Sequence, residues 1–329
     1  MSAHKLNDVY CPKQHFKVIV KTITYNQAKY IQDTLNSIAM QITDFPFVNV
    51  VLEDNSTDGE QDVIRLWLER ECDMSSAEYY DIPTAVLIIA PHKENINCTF
   101  AIYFHKKNLY QQKDIRESQV HPWRFNSQYE AWCEGDDYWI DPLKLQKQVD
   151  FMEANPNYGF VITDINRFYQ STGKIEQNFF SKQLPSVSIT FYELLINAYW
   201  LAPCTWLYRT NLYEDIKMPD DCFKGDIAIA LGILKQSKMF KMNESTACYR
   251  VLEQSASHFN DTEQADSFYL SVINTRCYFA SSLNYSQKLR LLFKITKELR
   301  GRFVNRRRKR IDLFLQNTIS VVKKIYEIH

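Results

Sequence analysis

The chain has 329 residues, of which 45% are hydrophobic, so it can bury a large core in one large domain or in two. Basic and acidic residues are equal in number (39 each), and zero net charge gives no global basic field that would favour nucleic acid. No run approaches the roughly 18 apolar residues of a membrane-spanning helix, and the first residues lack the apolar core of a secretory signal. We therefore expect a cytoplasmic protein that binds no nucleic acid and that contacts a membrane only peripherally, at its inner face.

Strands and helices alternate in the first part of the chain. Residues 16–22 are rich in β-branched side chains and predict a first strand, which ends in the polar turn Thr24–Asn26. A second strand over 48–52 runs into the acidic turn 53–59, and a third strand covers 85–90. Helical stripes follow the first two turns, and this alternation predicts an α/β fold with a mostly parallel, doubly wound central sheet.

The pattern breaks down over residues 92–128. A helix is predicted over Thr99–Asn108, and 111–122 is charged and poorly patterned. We expect an excursion over the binding face before the chain returns to the sheet.

Three carboxylates fall within four residues in Cys133–Trp139, directly after the predicted strand 129–133. Open α/β sheets bind ligands at the carboxyl ends of their strands. Clustered like charges are costly there unless a cation shares them, and Mg²⁺ or Mn²⁺ takes one or two carboxylates and completes its shell with substrate phosphate. The alternative is a plain acidic turn, in which Asp141 is the N-cap of a helix that Pro142 begins.

The second half continues with strands over 159–163, 202–209 and 247–251 and a helix over 188–197 whose Thr190 and Glu193 have capping-box spacing. Gly225-Asp226 opens an apolar helix, and the pattern alone leaves Asp226 equally as a cap or as a carboxylate at a pocket edge.

Beyond residue 261 the chain is predicted to be all-helical, which suggests domains at 1–260 and 261–329. The basic amphipathic end, residues 300–329, predicts a peripheral membrane contact; a solvated helix packed on the core is the equal alternative. The eight cysteines have no CxxC pair, and we expect reduced thiols.

Three ordered blocks resemble the family 2 glycosyltransferases of GT-A fold, which use nucleotide-sugar donors. The blocks are Thr22–Asn26, Glu53–Gly59 and Glu134–Trp139. The resemblance implies a hydroxyl-bearing glycan or lipid-linked acceptor and a role in surface polysaccharide biosynthesis. It places Thr22, Thr24 and Tyr25 at the nucleobase and ribose, and Asp54 as an acceptor for a base N–H, which slightly favours a uridine or thymidine diphosphate donor.

The same resemblance makes Glu134 and Asp136 the two acids of a DxD motif, with Asp136 and Asp137 as the candidate ligands of a divalent cation, Mn²⁺ or Mg²⁺. Asp226 matches the catalytic base. A single base implies inversion, since a retaining double displacement would need a second carboxylate as nucleophile. Glu134 departs from the usual aspartate, and Val251 stands where many relatives have a metal-binding histidine, for which Glu253 or His258 could substitute.

Two other functions remain open from the sequence. One is a nucleotide-sugar-binding module without transfer activity, against which the presence of Asp54, Asp136, Asp137 and Asp226 argues. The other is a nucleotidyltransferase, which would be expected to carry a glycine- and lysine-rich loop after the first strand, where this chain has Thr24–Gln27.

Overall fold

The computed structural model describes residues 4–5, 10–184, 187–213, 219–223, 225–253, 261–305 and 310–326. The chain divides into two compact units. Unit 1 comprises Met1–Ser188, Ala202–Leu212 and Ser237–Glu253, and unit 2 comprises Ile189–Leu201, Tyr213–Gln236 and Gln254–His329. Two segments before residue 260, Ile189–Leu201 and Tyr213–Gln236, cluster with the C-terminal helices. The domain boundary at residue 260 stays a prediction.

The strands are β1 (His4–Lys5), β2 (Phe16–Thr24), β3 (Phe47–Glu53), β4 (Glu78–Ile82), β5 (Ala85–Pro91), β6 (Cys98–His105), β7 (Ser127–Trp132), β8 (Tyr138–Trp139), β9 (Tyr158–Tyr169), β10 (Lys174–Glu176), β11 (Ser188–Ile189), β12 (Trp206–Arg209) and β13 (Lys238–Val251). Unit 1 contains the helices α1 (Ile31–Ala39), α2 (Glu60–Glu71), α3 (Lys113–Phe125), α4 (Lys144–Ala154) and α5 (Phe179–Gln183). Unit 2 contains α6 (Phe191–Asn197), α7 (Asp226–Leu234), α8 (Thr262–Phe279), α9 (Tyr285–Arg300) and α10 (Ile311–Tyr326).

The sheet of unit 1 runs in the order β1-β4-β5-β6-β3-β2-β7-β12-β9-β13. Its centre, β6-β3-β2-β7, is parallel, as predicted, and β9 pairs with β13 in parallel. The pairs β4-β5, β5-β6, β7-β12 and β12-β9 are antiparallel. Every residue of β3 is buried, because a central parallel strand is covered on both faces, and this explains its unbroken apolar character.

The register of the central strands brings the predicted motifs to one edge. Thr24, at the end of β2, is level with Glu53, at the end of β3, and Lys21 is level with Trp132, the last residue of β7. The turns that follow these three strands therefore leave the sheet side by side.

The prediction over the excursion is wrong in two places. The predicted helix Thr99–Asn108 is instead strand β6, which is buried on both faces between β3 and β5, so its apolar run has no helical period. The segment predicted as poorly patterned contains α3. Its helical pattern is hidden because the buried face includes the polar residues Arg116 and Gln119, which contact a polar network described below.

Several element boundaries also differ from the prediction. Helix α4 begins at Lys144, and Asp141 is not its N-cap; its Oδ1 accepts a hydrogen bond from Leu143 N at 2.9 Å. Residues 203–205 form a 3₁₀ turn, so β12 covers only the second half of the predicted strand. The other late strands lie within the longer β9 and β13.

The described part of unit 2 beyond residue 261 is helical, as predicted, and α6 has the predicted Thr190–Glu193 capping box. None of the helices in the described ranges combines the length and hydropathy that crossing a bilayer requires. All eight cysteines are free.

Candidate functional site

The acidic turn 133–137 is held by the strand beside it. Cys133 N donates to Lys21 O at 3.0 Å and Gly135 N donates to Ile23 O at 3.1 Å, so the turn continues the β2–β7 pairing beyond the end of β7. Thr34 Oγ1, from α1, donates to Asp137 O at 2.6 Å and lies 3.0 Å from Gly135 O. Elements from both sides therefore fix the path of the backbone.

Gly135 is the point where this turn meets the end of β2. A Cβ on Gly135 would lie 2.1 Å from Thr24 Oγ1 and 2.5 Å from Thr24 Cβ. Only glycine allows the two backbones to approach this closely, and Thr24 cannot move aside because its hydroxyl is bound by Glu60. The close approach brings the carboxylates onto the edge of the sheet.

Arg250, near the end of β13, ties the turn to the rest of unit 1. Its Nε donates to Asp136 O, one terminal nitrogen donates to Asp33 Oδ2 and the other donates to Gln170 Oε1, all at 2.8 Å. Its backbone N donates to Asp137 Oδ1 at 2.8 Å. Arg250 itself is only 5% exposed, whereas the side chain of Asp33 is 58% exposed. Arg250 is therefore a buried support of the turn, and its bond to Asp33 lies at the surface.

The three carboxylates of the turn differ in exposure. Asp137 is fully buried; Oδ1 is used by Arg250 N, whereas Oδ2 accepts no hydrogen bond of ordinary geometry within the described ranges, although the Cys204 thiol lies beside the carboxyl. Glu134 and Asp136 are partly exposed. No other residue in the described ranges donates a hydrogen bond to the Asp136 carboxylate. Asp136 is therefore the acid of the turn that is best placed to take an external ligand.

The electrostatics of the turn fit a hard divalent cation. Burial raises the pKa of Asp137, and the charges of Asp136 and Glu134 raise it further; burial also raises the pKa of Asp136, against the charge of Arg250. A cation beside these acids would offset both the repulsion and the desolvation. The described residues contain no group of three or more metal-ligand side chains around one point.

Of the residues predicted to line the nucleobase pocket, only Tyr25 offers its side chain to solvent, at 44% exposure. Thr22 is buried and its Oγ1 accepts a hydrogen bond from Asn49 at 2.9 Å. Thr24 is buried against Glu60. The two threonines therefore stabilise the end of β2 through buried hydrogen bonds.

Glu60 is a supporting residue that the sequence did not reveal. It is fully buried at the start of α2, and its carboxylate binds Thr24 Oγ1, Gln27 N at 2.9 Å and Ser56 Oγ at 2.8 Å. Burial raises its pKa. An acid in a first helical turn is ordinarily explained by the helix dipole, so nothing in the sequence singled it out.

Asp54 lies at the same edge, but its carboxylate is already engaged and is 1% exposed. Oδ1 accepts hydrogen bonds from Leu109 N at 2.6 Å and from His105 Nδ1 at 3.0 Å, and Oδ2 is 3.8 Å from Arg116. The other ring nitrogen of His105 lies 2.9 Å from Gln119 Oε1. Burial would raise the pKa of Asp54, but these hydrogen bonds and charges outweigh it and lower the pKa.

Asp226 belongs to unit 2, where it is the first residue of α7. It is partly exposed, and its Oδ1 accepts a hydrogen bond from Ile227 N at 2.8 Å. Burial raises the pKa of its carboxyl. Glu253 and His258 were the candidates to replace the metal-binding histidine that many relatives have at the position of Val251. Glu253 is an exposed turn residue, and His258 lies outside the described residues.

Comparisons with known proteins bear on the fold and on the resemblance. No family model matches the chain. An uncharacterised protein of Mycobacterium tuberculosis is 29% identical over 155 residues, which are 47% of this chain and only 37% of that protein. TuaG of Bacillus subtilis, assigned as a teichuronic acid biosynthesis glycosyltransferase, is 24% identical over 246 residues, 74% of this chain and 83% of TuaG.

Solved structures give the fold. Residues 1–349 of Staphylococcus aureus TarS in complex with UDP-GlcNAc match with a TM-score of 0.62 at 16% identity, over 94% of this chain and 81% of the other. The same TarS fragment in complex with UDP matches with a TM-score of 0.56 at 17% identity, over 93% and 81% of the two chains. The chain therefore has the GT-A fold and is similar to glycosyltransferases of surface polysaccharide biosynthesis, as its three sequence blocks predicted.

Proposed function

We propose that the protein is an inverting glycosyltransferase that moves a sugar from a nucleotide-diphosphate donor, with a UDP-sugar favoured, to a hydroxyl of a glycan or lipid-linked acceptor in surface polysaccharide biosynthesis. One observation carries the proposal. Asp136 presents a partly exposed carboxylate on a backbone turn that β2, α1 and Arg250 fix in place, at the edge where the central parallel strands end. Such an edge is where α/β sheets bind ligands. The similarity to TarS, whose structures contain UDP-GlcNAc or UDP, supports the choice of donor.

Asp136 is our candidate ligand for Mn²⁺ or Mg²⁺, with Glu134 beside it. When bound, the cation supplies Lewis-acid stabilisation of the negative charge on a leaving diphosphate. Asp137 was predicted as a second ligand; its Oδ1 accepts the hydrogen bond of Arg250 N, its Oδ2 is buried, and we propose that Asp137 acts mainly by holding the turn. The chain's own contribution is to keep two acids close together on a rigid backbone.

The nucleobase is proposed to stack on Tyr25 and to donate its imino N–H to Asp54. That carboxylate now accepts Leu109 N–H, which is the same kind of donor as a uracil N–H. Base binding at Asp54 therefore requires the segment between β6 and α3 to move away and exchanges one hydrogen bond for another. Thr22 and Thr24 support this pocket through Asn49 and Glu60.

Asp226 is the proposed catalytic base, which takes the proton of the attacking acceptor hydroxyl. Its raised pKa makes the carboxylate a stronger base than an ordinary aspartate. With one base and no second carboxylate assigned as nucleophile, we propose single displacement with inversion.

Calorimetric titration of nucleoside diphosphates tests the donor and metal sites. UDP should bind more tightly with Mn²⁺ than without it, and Asp136→Asn should remove the metal-dependent part, a loss of about tenfold or more for a site this dependent on one acid. Asp150→Asn is the matched control, because Asp150 is exposed on α4 and hydrogen-bonds only with Gln146 among the described residues.

The outcomes separate the candidate functions. Equal UDP affinity of the wild type and Asp136→Asn in Mn²⁺ would remove Asp136 from the metal site. Donor binding without release of UDP in the presence of any glycan acceptor would favour the binding module instead.

We propose a cytoplasmic location, peripheral at the membrane face where lipid-linked acceptors lie.

A further inference from the structure

Helix α9 has apolar residues on two opposite faces. Leu291, Ile295 and Leu299 are fully buried in unit 2. On the other face, Tyr285 is 73% exposed, Leu289 50% and Phe293 75%. These three residues are spaced by four, so they lie on one side of the helix as a continuous exposed stripe. We call Tyr285, Leu289 and Phe293 the outer stripe of α9.

Basic side chains border the outer stripe. Helix α9 carries five cations and one acid, Glu298, which pairs with Arg276 at 2.6 Å. None of the five forms an ion pair with a carboxylate in the described part of the chain. The five are Lys288, Arg290, Lys294, Lys297 and Arg300, of which Arg290, Lys297 and Arg300 are exposed.

We propose that the outer stripe of α9 and its flanking cations form a surface that binds anionic lipid bilayers. A helix with exposed aromatic and aliphatic residues between lysines and arginines can lie in the interface, with the rings among the acyl chains and the cations at the headgroups. Each cation near an anionic surface adds to the affinity. The inference concerns unit 2 and does not depend on the chemistry proposed above.

Charge argues against a second copy of this chain as the occupant. A two-fold symmetric contact would place the same patch against itself, and the cations of each α9 would then face their counterparts without the opposite charge that binding requires. An anionic bilayer instead supplies the opposite charge across the whole face. A purely basic face could be satisfied by soluble anions. The exposed apolar stripe is instead explained by a partner with an apolar interior, which a bilayer has.

The proposed surface differs from the membrane contact that the sequence predicted over 300–329. The described part of that region is mainly α10, whose exposed apolar residues are Ile311, Leu315 and Ile319, at 53–58% exposure. Asp312 and Lys323 are the charged residues exposed on α10, so its outer face lacks the excess of positive charge of α9. Variants of α9 therefore test the proposed surface, and variants of the exposed apolar residues of α10 serve as the control.

Vesicle co-sedimentation of the full chain tests the proposal. Binding should occur with phosphatidylcholine–phosphatidylglycerol vesicles and not with phosphatidylcholine alone. The double variant Leu289→Ser with Phe293→Ser should bind about tenfold more weakly or worse, and so should Lys294→Gln with Lys297→Gln, because both the apolar and the basic contributions are needed. The α10 control, Leu315→Ser with Ile319→Ser, should bind like the wild type.

A second readout does not depend on loss of binding. Phe293→Trp should show a blue shift of its emission on anionic vesicles relative to the wild type, since the indole would leave water. Unchanged binding of the α9 variants, release by the α10 variant, or conversion of a wild-type dimer to a monomer by Leu289→Ser with Phe293→Ser would each overturn the proposal. UDP binding by the same variants should be unaltered, which separates this test from that of the proposed function.

Discussion

Lys144 is a buried lysine whose ammonium bonds to no carboxylate of the residues that the structure describes. Its Nζ donates to Gln148 Oε1 at 2.6 Å and lies 4.3 Å from the centre of the Trp139 ring, in a site with 0% exposure. Burial lowers the pKa of Lys144 to about 7. The perturbation is Lys144→Met, which keeps the length of the side chain and its packing on Trp139 but removes the titrating group.

The sign and size of the effect follow from the pKa. The unfolded chain holds the proton up to about pH 10.4, whereas the folded chain releases it near pH 7. Between these values the unfolded state binds more protons, so the free energy of unfolding rises with pH. At about 1.36 kcal/mol per unit the full change is about 4.6 kcal/mol, of which about 2.6 kcal/mol falls between pH 6 and pH 9.

Urea unfolding of the wild type and Lys144→Met at a series of pH values measures this directly. The difference between the two free energies of unfolding should change by about 2–3 kcal/mol in favour of the wild type from pH 6 to pH 9, while the histidines and cysteines common to both cancel. Lys147→Met is the control: Lys147 is partly exposed, and hydrogen bonds to Asp141 and Glu244 raise its pKa, so its difference should stay flat. A flat difference for Lys144→Met would refute the reasoning.

Three other changes test the site. Asp226→Asn should leave UDP binding intact and abolish transfer, and the acid limb of the wild-type pH–rate profile should lie above the ordinary aspartate value of about 3.9; a limb at or below that value would contradict the raised pKa. Gly135→Ala should cost about 1–3 kcal/mol of unfolding free energy and weaken UDP binding, and the added change Thr24→Gly should restore part of both, since it removes the atoms that a Cβ would meet. Arg250→Gln should cost about 1–3 kcal/mol in chemical denaturation, because it leaves Asp136 O without its buried donor. A loss under about 0.5 kcal/mol, as at an ordinary surface position, would show that Arg250 does not hold the turn.

The sequence predicted most of what local chemistry decides. A β-branched run, a polar turn and a helical stripe identify β2 and α1 without knowledge of their neighbours, and the capping box of α6 depends on residues three apart. Segment 92–128 was the weak point. Strand β6 is covered on both faces, so its sequence lacks an alternating pattern, and α3 buries Arg116 and Gln119 because their partners come from other strands.

What the sequence by itself determined is the set of strand ends that carry acids and the α/β alternation that orders them, because hydrophobic periodicity is a local property of the chain; the GT-A fold was implied by the resemblance of three blocks. Only the tertiary structure decided which side chains remain available. Asp54 and Thr24 carry the expected chemistry, but packing places Leu109 N on the first and Glu60 on the second, whereas Asp136 and Tyr25 stay accessible. Exposure depends on what distant segments bring to a position, and no local pattern encodes it.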